Sequence, residues 1–135
     1  MKNDIFKIGE PNEAYAKYFI GKSYLNVLTK KDDYMAISNV SFEPNCRNNW
    51  HVHSSKYPVG QILIAVSGKG IYQEYGKEPV IMEPGDVIEI PSGAKHWHGS
   101  YPGCWFSHLA FSLPDESAST EWLEEVDDEY YSNLF

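Results

Sequence analysis

Between Tyr34 and Phe111 the chain is cut by turn-forming residues at close, regular intervals. Ser67-Gly68-Lys69-Gly70, Gly76-Lys77, Pro84-Gly85-Asp86 and Pro91-Ser92-Gly93 each interrupt it. The pieces left between them are short and rich in strand formers: Gln61 to Val66, Ile71 to Tyr75, Val80 to Met82 and Val87 to Ile90. Upstream, Ala36, Ser38, Val40 and Phe42 alternate with Met35, Ile37, Asn39 and Ser41, the two-residue period of a strand with two unlike faces. Short strands with turns at this spacing predict an all-β sandwich or barrel. Helix is expected in two places only. Thr120 is placed to cap a helix whose Trp122, Val126 and Tyr130 recur every four residues, and a shorter helical stretch is expected around Asn12 to Tyr18.

A chain of 135 residues, 42% hydrophobic and 22% charged, fits one domain with a usable core. We expect that domain to span 1–135, with a barrel core at about 34–112 and a tail at 113–135. The net charge of −8 lies in the tail. Asp115, Glu116, Glu121, Glu124, Glu125, Asp127, Asp128 and Glu129 meet no Lys or Arg there, and the body is formally neutral. With no basic surface to offer phosphates, nucleic acid is excluded as an expected partner, and the tail reads as a solvated helix face. The longest apolar run, Ile62 to Val66, is too short to span a bilayer. Met1-Lys2-Asn3-Asp4 offers no apolar leader, and Cys46 and Cys104 read as two reduced thiols, so a cytoplasmic protein is expected.

All five histidines lie between positions 51 and 108. His51 and His53 flank one residue, as do His96 and His98. On a strand, residues two apart share a face, so each pair can reach one ion while Trp50, Val52 and Trp97 point away. Two such pairs on neighbouring strands would converge inside a barrel. Imidazole is the commonest ligand for transition metals. Trp50, Trp97 and Trp105 read as packing aromatics, and Lys56 and Tyr57 sit in a loop that could reach a pocket mouth.

Two longer motifs carry a resemblance. Asn45, His51-Val52-His53, Gln61 and Gly68 resemble the first motif of the cupin superfamily, in which a glycine, two histidines, a glutamate and a glycine follow in order. Gly85, Pro91, Gly93 and His96, with Ser100 in the asparagine place, resemble the second. The resemblance implies a double-stranded β-helix (jelly-roll) barrel and one divalent metal ion per chain on His51, His53, Gln61 and His96. Three departures stand out. Asn45 replaces a glycine, which Asn tolerates because it enters left-handed turns. The spacer before Gln61 is longer, implying a wider loop at Ser54 to Gly60. Gln61 replaces glutamate, and a neutral amide leaves more of the ion's charge uncompensated, which favours Lewis-acid work.

A narrower likeness rests on Phe42-Glu43-Pro44, Trp50-His51-Val52-His53, Gly60-Gln61, His96-Trp97-His98-Gly99 and His108-Leu109-Ala110. These strings are similar to a group of small bacterial single-domain cupins. That group includes manganese-dependent hydroxynitrile lyases and cupin modules associated with carboxymuconolactone decarboxylase-like domains. It implies manganese, with iron, zinc or nickel as alternatives, and a small-molecule substrate. It also implies a homodimer paired through sheet edges, with Lys22 to Thr29 as the exchanged strand. His98 is outside the ligand positions and is the first candidate for a general base; His108 is the second. The expected function is a metal-dependent lyase for a small oxygenated molecule. A metal-dependent dioxygenase and a non-catalytic ligand-binding module are the alternatives.

Overall fold

The computed structural model describes residues 5–30 and 35–135. The expected start of the barrel at Tyr34 and the segment Met1-Lys2-Asn3-Asp4 lie outside the described residues. The strands are β1 (Glu10–Pro11), β2 (Phe19–Ile20), β3 (Ser23–Val27), β4 (Ser38–Phe42), β5 (Arg47–Asn48), β6 (His51–Ser54) and β7 (Val59–Gly68). Then come β8 (Gly70–Glu74), β9 (Val80–Met82), β10 (Val87–Pro91), β11 (Lys95–Ser100), β12 (Phe106–Phe111) and β13 (Ser119–Trp122). A 3-10 turn (Ala16–Tyr18) falls within the stretch expected to be helical, and one short helix, α1 (Asp128–Ser132), lies near the C-terminus.

Among the described residues every strand pairing is antiparallel, in two sheets. One runs β1-β3-β4-β12-β7-β10. In the other, β11 carries β5 and β6 along one flank and β8 along the opposite one, with β13 beyond β6. Two antiparallel sheets packed in this order are the jelly-roll barrel that the resemblance implied, mostly strand with one short helix among the described residues. The alternation read in the sequence sorts side chains as expected. Phe42, Leu63, Ala65, Tyr72, Met82, Ile90 and Phe106 fill the interior. On the outer side of β11, Trp97 joins Trp50, Ile71, Val126 and Tyr131 in a second buried cluster. Trp105 stacks on Tyr24. All three tryptophans therefore pack, as their strand positions suggested.

Asn45 has φ 70°, the left-handed conformation that its place in a glycine position required, and its Oδ1 accepts from Gly103 N at 3.0 Å. Gly60 is needed for another reason. A Cβ there would lie 2.9 Å from His53 O and 3.0 Å from His53 Cβ, so only glycine lets β7 approach β6 so closely. The β10–β7 register shifts beside it, since Ile90 faces Gln61 while Pro91 faces Val59. Such irregularities re-aim side chains, and this one adjoins Gln61.

The tail corrects the sequence reading. Thr120 and Trp122 lie in strand β13, paired with β6, and not in a helix. Backbone hydrogen bonding to an available sheet edge outweighs a four-residue apolar spacing that is too weak to hold a helix alone. The helix starts later. Asp127, not Thr120, caps it and accepts from Tyr130 N, with Asp128 and Glu129 in its first turn. Arg47 staples it to the barrel. The guanidinium is 2% exposed, donates to Val126 O (2.8 Å), Asn45 O (3.0 Å) and Asp128 Oδ1 (2.6 Å), and lies 4.3 Å over the Tyr131 ring. The segment expected as an exchanged edge strand, Lys22 to Thr29, contains β3, which pairs within its own chain between β1 and β4. No helix among the described residues is long and apolar enough to cross a membrane.

Candidate metal centre

Strand register brings the histidines together. β6 and β11 pair with His51 opposite His96, and the two ring centroids are 4.2 Å apart. His53, one strand period on, is 4.9 Å from His51 and 5.4 Å from His96. His98 follows His96 on the same inward face, 5.5 Å from His51, and β12 delivers His108 4.8 Å from His98. One ligating nitrogen each from His51, His96 and His98 lies within 4.8 Å of the others, so the cluster could hold a metal ion.

The hydrogen bonds sort these rings into two classes. His51 Nδ1 donates to Asn49 O and His96 Nδ1 donates to Ala94 O, both at 2.8 Å. A carbonyl oxygen can only accept, so both rings carry their proton on Nδ1 and keep the Nε2 lone pair for another partner. His53 Nδ1 contacts Thr120 Oγ1 at 3.0 Å. Buried and without a hydrogen-bond partner are His53 Nε2, His96 Nε2 and Gln61 Oε1. An orphaned buried polar atom is costly; Gln61 Oε1 and His96 Nε2 carry open lone pairs, His53 Nε2 does so when its ring proton sits on Nδ1, and such a set fits a divalent cation.

His98 and His108 form the other class. The His98 backbone N–H donates to Asn48 Oδ1 (2.9 Å), which fixes the amide so that Asn48 Nδ2 donates to His98 Nε2 (3.2 Å). His108 Nδ1 donates to Leu109 O (3.2 Å), so its Nε2 accepts from His98 Nδ1 at 3.1 Å. The result is a directed chain from Asn48 through His98 and His108 to a backbone carbonyl. Proximity alone groups His98 with His51 and His96. Its two nitrogens are already engaged, however, whereas His53 Nε2 and Gln61 Oε1 are not.

Burial keeps all five rings neutral. It holds His51 and His98 well below the usual imidazole range, helped by the neighbouring rings, chiefly His96 for His51 and His108 for His98. Burial also pushes His96 and His108 down to about 4. His53 is lowered by burial and partly restored by the Gln61 amide alongside it, although the two make no hydrogen bond of normal geometry.

A cavity of about 580 Å³ opens onto this group. His51, His53, Gln61, Asn48, His98 and His108 line its depth, and Phe19, Leu25, Val40, Ala110 and Trp122 supply apolar wall. Among the described residues no Lys or Arg lines it. Lys56 and Tyr57 are not part of the wall; the Lys56 backbone N–H instead ties the loop to Asp115 at 2.7 Å. Sequence reasoning missed Asn48, Thr120 and Trp122. Trp122 stacks on His51 at 4.5 Å and on Tyr18 at 4.4 Å. The two-residue spacing of Thr120 and Trp122 was the available strand signal; Asn48 carries none.

Similarity to known proteins agrees with this geometry. The cupin domain model matches residues 38–103. The chain is 36% identical over 118 residues to an (R)-mandelonitrile lyase from Granulicella tundricola, covering 86% of this chain and 87% of that one. A crystal structure of a cupin-like protein from Thermotoga maritima superposes with TM-score 0.84 at 36% identity, covering 97% of this chain and 96% of its counterpart. A predicted oxalate decarboxylase from the same organism shares the fold at TM-score 0.64 and 19% identity, covering 78% and 92%. With its barrel, its two histidine-bearing motifs and a relative matched over most of both lengths, the chain belongs to the cupins.

Proposed function

We propose that this chain is a metal-dependent lyase acting on a small oxygenated molecule, with cyanohydrin cleavage as its sharpest form. The observation that carries the reading is a set of buried atoms without hydrogen-bond partners in the histidine cluster, His53 Nε2, His96 Nε2 and Gln61 Oε1, beside a hydrogen-bonded pair of neutral histidines that line the cavity. His51, His53, Gln61 and His96 would hold the ion; the amide oxygen suits manganese, the metal that the family resemblance implies, and the three imidazoles suit iron, zinc or nickel as alternatives. When bound, it would supply Lewis acidity that makes a substrate hydroxyl easier to deprotonate.

The protein's own groups do the rest. His98 takes the hydroxyl proton at Nε2, with the Asn48 amide giving way, and can pass its Nδ1 proton to His108 Nε2. The carbonyl forms as the bond to the nitrile carbon breaks, and cyanide leaves with that electron pair. The stored proton then returns to cyanide, so the pair ends neutral. The apolar wall excludes water, and without Lys or Arg among the described wall residues no side-chain cation there competes with the ion for a substrate oxygen. The named activity of the Granulicella tundricola relative supports the same choice.

The test is cyanide release from mandelonitrile by protein loaded with Mn2+. We expect turnover that disappears with a chelator and returns with Mn2+. Oxygen consumption in place of cyanide release would replace the lyase by an oxygenase, and tight binding of the cyanohydrin without conversion would leave a binding protein.

A further inference from the structure

The three outer rings of the candidate metal centre are not held alike. His51 and His96 are fixed in the Nδ1–H form by backbone carbonyls, which no substitution removes. His53 alone depends on a side chain, Thr120 Oγ1, and a hydroxyl can either accept or donate. If it accepts, His53 keeps its proton on Nδ1 and offers Nε2 to the centre. If it donates, the proton sits on Nε2, facing the Gln61 amide, and that nitrogen cannot ligate. We infer that Thr120 is a positioning residue for His53, selecting the tautomer that can bind metal. The inference rests on the metal site proposed above.

Three placements support it. β13 pairs with β6 so that Thr120 stands directly opposite His53 and Trp122 opposite His51. The Trp122 ring stacked on His51 pins that register, and the Glu124 carbonyl accepts from Trp50 N at 2.9 Å just beyond it. Gly60 closes on the His53 backbone and Cβ from β7, which fixes the base from which the ring projects. The segment that reads in sequence as a solvated acidic tail thus carries a partner of the metal site. Groups that orient metal-bound histidines typically contribute about 10- to 100-fold to metal affinity.

The experiment compares full-length wild type, Thr120→Val and Thr120→Ser, with Mn2+ affinity read by competition with a chelator and His53 tautomer read by imidazole 15N NMR on Zn2+-loaded and metal-free protein. No turnover is needed. Thr120→Val keeps the β-branched shape and every backbone bond of β13, so circular dichroism should match wild type. We expect it to bind Mn2+ about 10- to 100-fold more weakly and to shift metal-free His53 toward the Nε2–H form, with Thr120→Ser close to wild type. Equal affinity and an unchanged tautomer in Thr120→Val would overturn the inference while leaving the metal site standing. If Thr120→Val does not fold, metal-free wild type decides: its His53 should carry a slowly exchanging proton on Nδ1, and a proton on Nε2 instead would overturn the assignment. Wild type that binds neither ion would remove the metal site itself, a different and recognisable failure.

Discussion

The two ends of the barrel interior are built from the same strands and do opposite things. On β7, Leu63 and Ala65 are fully packed, and one strand period away Gln61 faces the cavity. On β12, Phe106 is packed and His108 faces the cavity; on β4, Phe42 is packed and Val40 lines the opening. A shift of two residues along a strand thus separates a side chain that holds the barrel closed from one that does chemistry. The pleat of each strand makes this possible, because alternate residues share a face whatever their polarity. The closed end supplies rigidity and the open end is free to be polar. Substitutions at the two ends should therefore fail in different ways.

The largest expected effect is at the open end. His98→Ala should keep Mn2+ near wild-type content and lose about 100- to 10,000-fold in turnover, the usual cost of removing a general base. His96→Ala should lose the metal as well, as elemental analysis of both proteins would show. Loss of metal by His98→Ala would make His98 a ligand, consistent with its proximity to His51 and His96. Full retained activity would move the base to His108.

At the closed end, Phe106→Ala should cost about 3–5 kcal/mol of stability in denaturant unfolding, as large core truncations do, while metal content in the surviving folded fraction stays unchanged. Phe106 is completely buried and packs against Phe42 at 6.0 Å. A Phe106→Ala protein that folds normally but loses metal would mean the two ends are not separable.

Acid should blur the distinction. In the metal-free protein His108 is buried neutral with its pKa pushed down to about 4, from 6.5 in a free side chain. A depressed pKa stabilises the fold above 6.5, because the unfolded chain binds the proton first as pH falls. Stability should drop from about pH 6.5 and level off near pH 4, by up to about 3 kcal/mol from this ring. Unfolding midpoints measured across that window in wild type and His108→Gln would isolate the contribution, and identical slopes would remove it.

Much of the barrel was legible because its signals are local. The turn at Pro91-Ser92-Gly93 stops β10, the Met35 to Phe42 alternation yields β4, and a glycine position held by Asn45 demanded the positive φ it has. The histidines were legible because His-x-His on a strand fixes a shared face. The tail was not. The spacing of Trp122, Val126 and Tyr130 suits a helix, yet Trp122 points into the site while Val126 packs on the outer sheet. Which of two periods wins depended on an open edge of β6, a fact about tertiary structure. Asn48 was invisible for the same reason. Its role comes from lying on β5, the strand paired beside β11, next to His98 but 50 positions away in sequence.

The Arg47 staple bears on where this domain can be cut. Composition suggests an end near residue 112, where the neutral body gives way to acidic residues. A gene shortened there would still encode both histidine motifs. Its product would lose Val126 and Tyr131 from the surface of Trp97, leave a guanidinium that is 2% exposed without its carbonyl and carboxylate partners, and strip Thr120 from His53. Such a fragment would present a bare aromatic patch to its neighbours and be recovered from cells as precipitate. The acidic segment is therefore the lid of the fold's outer core, and the practical boundary for recombinant expression lies beyond α1.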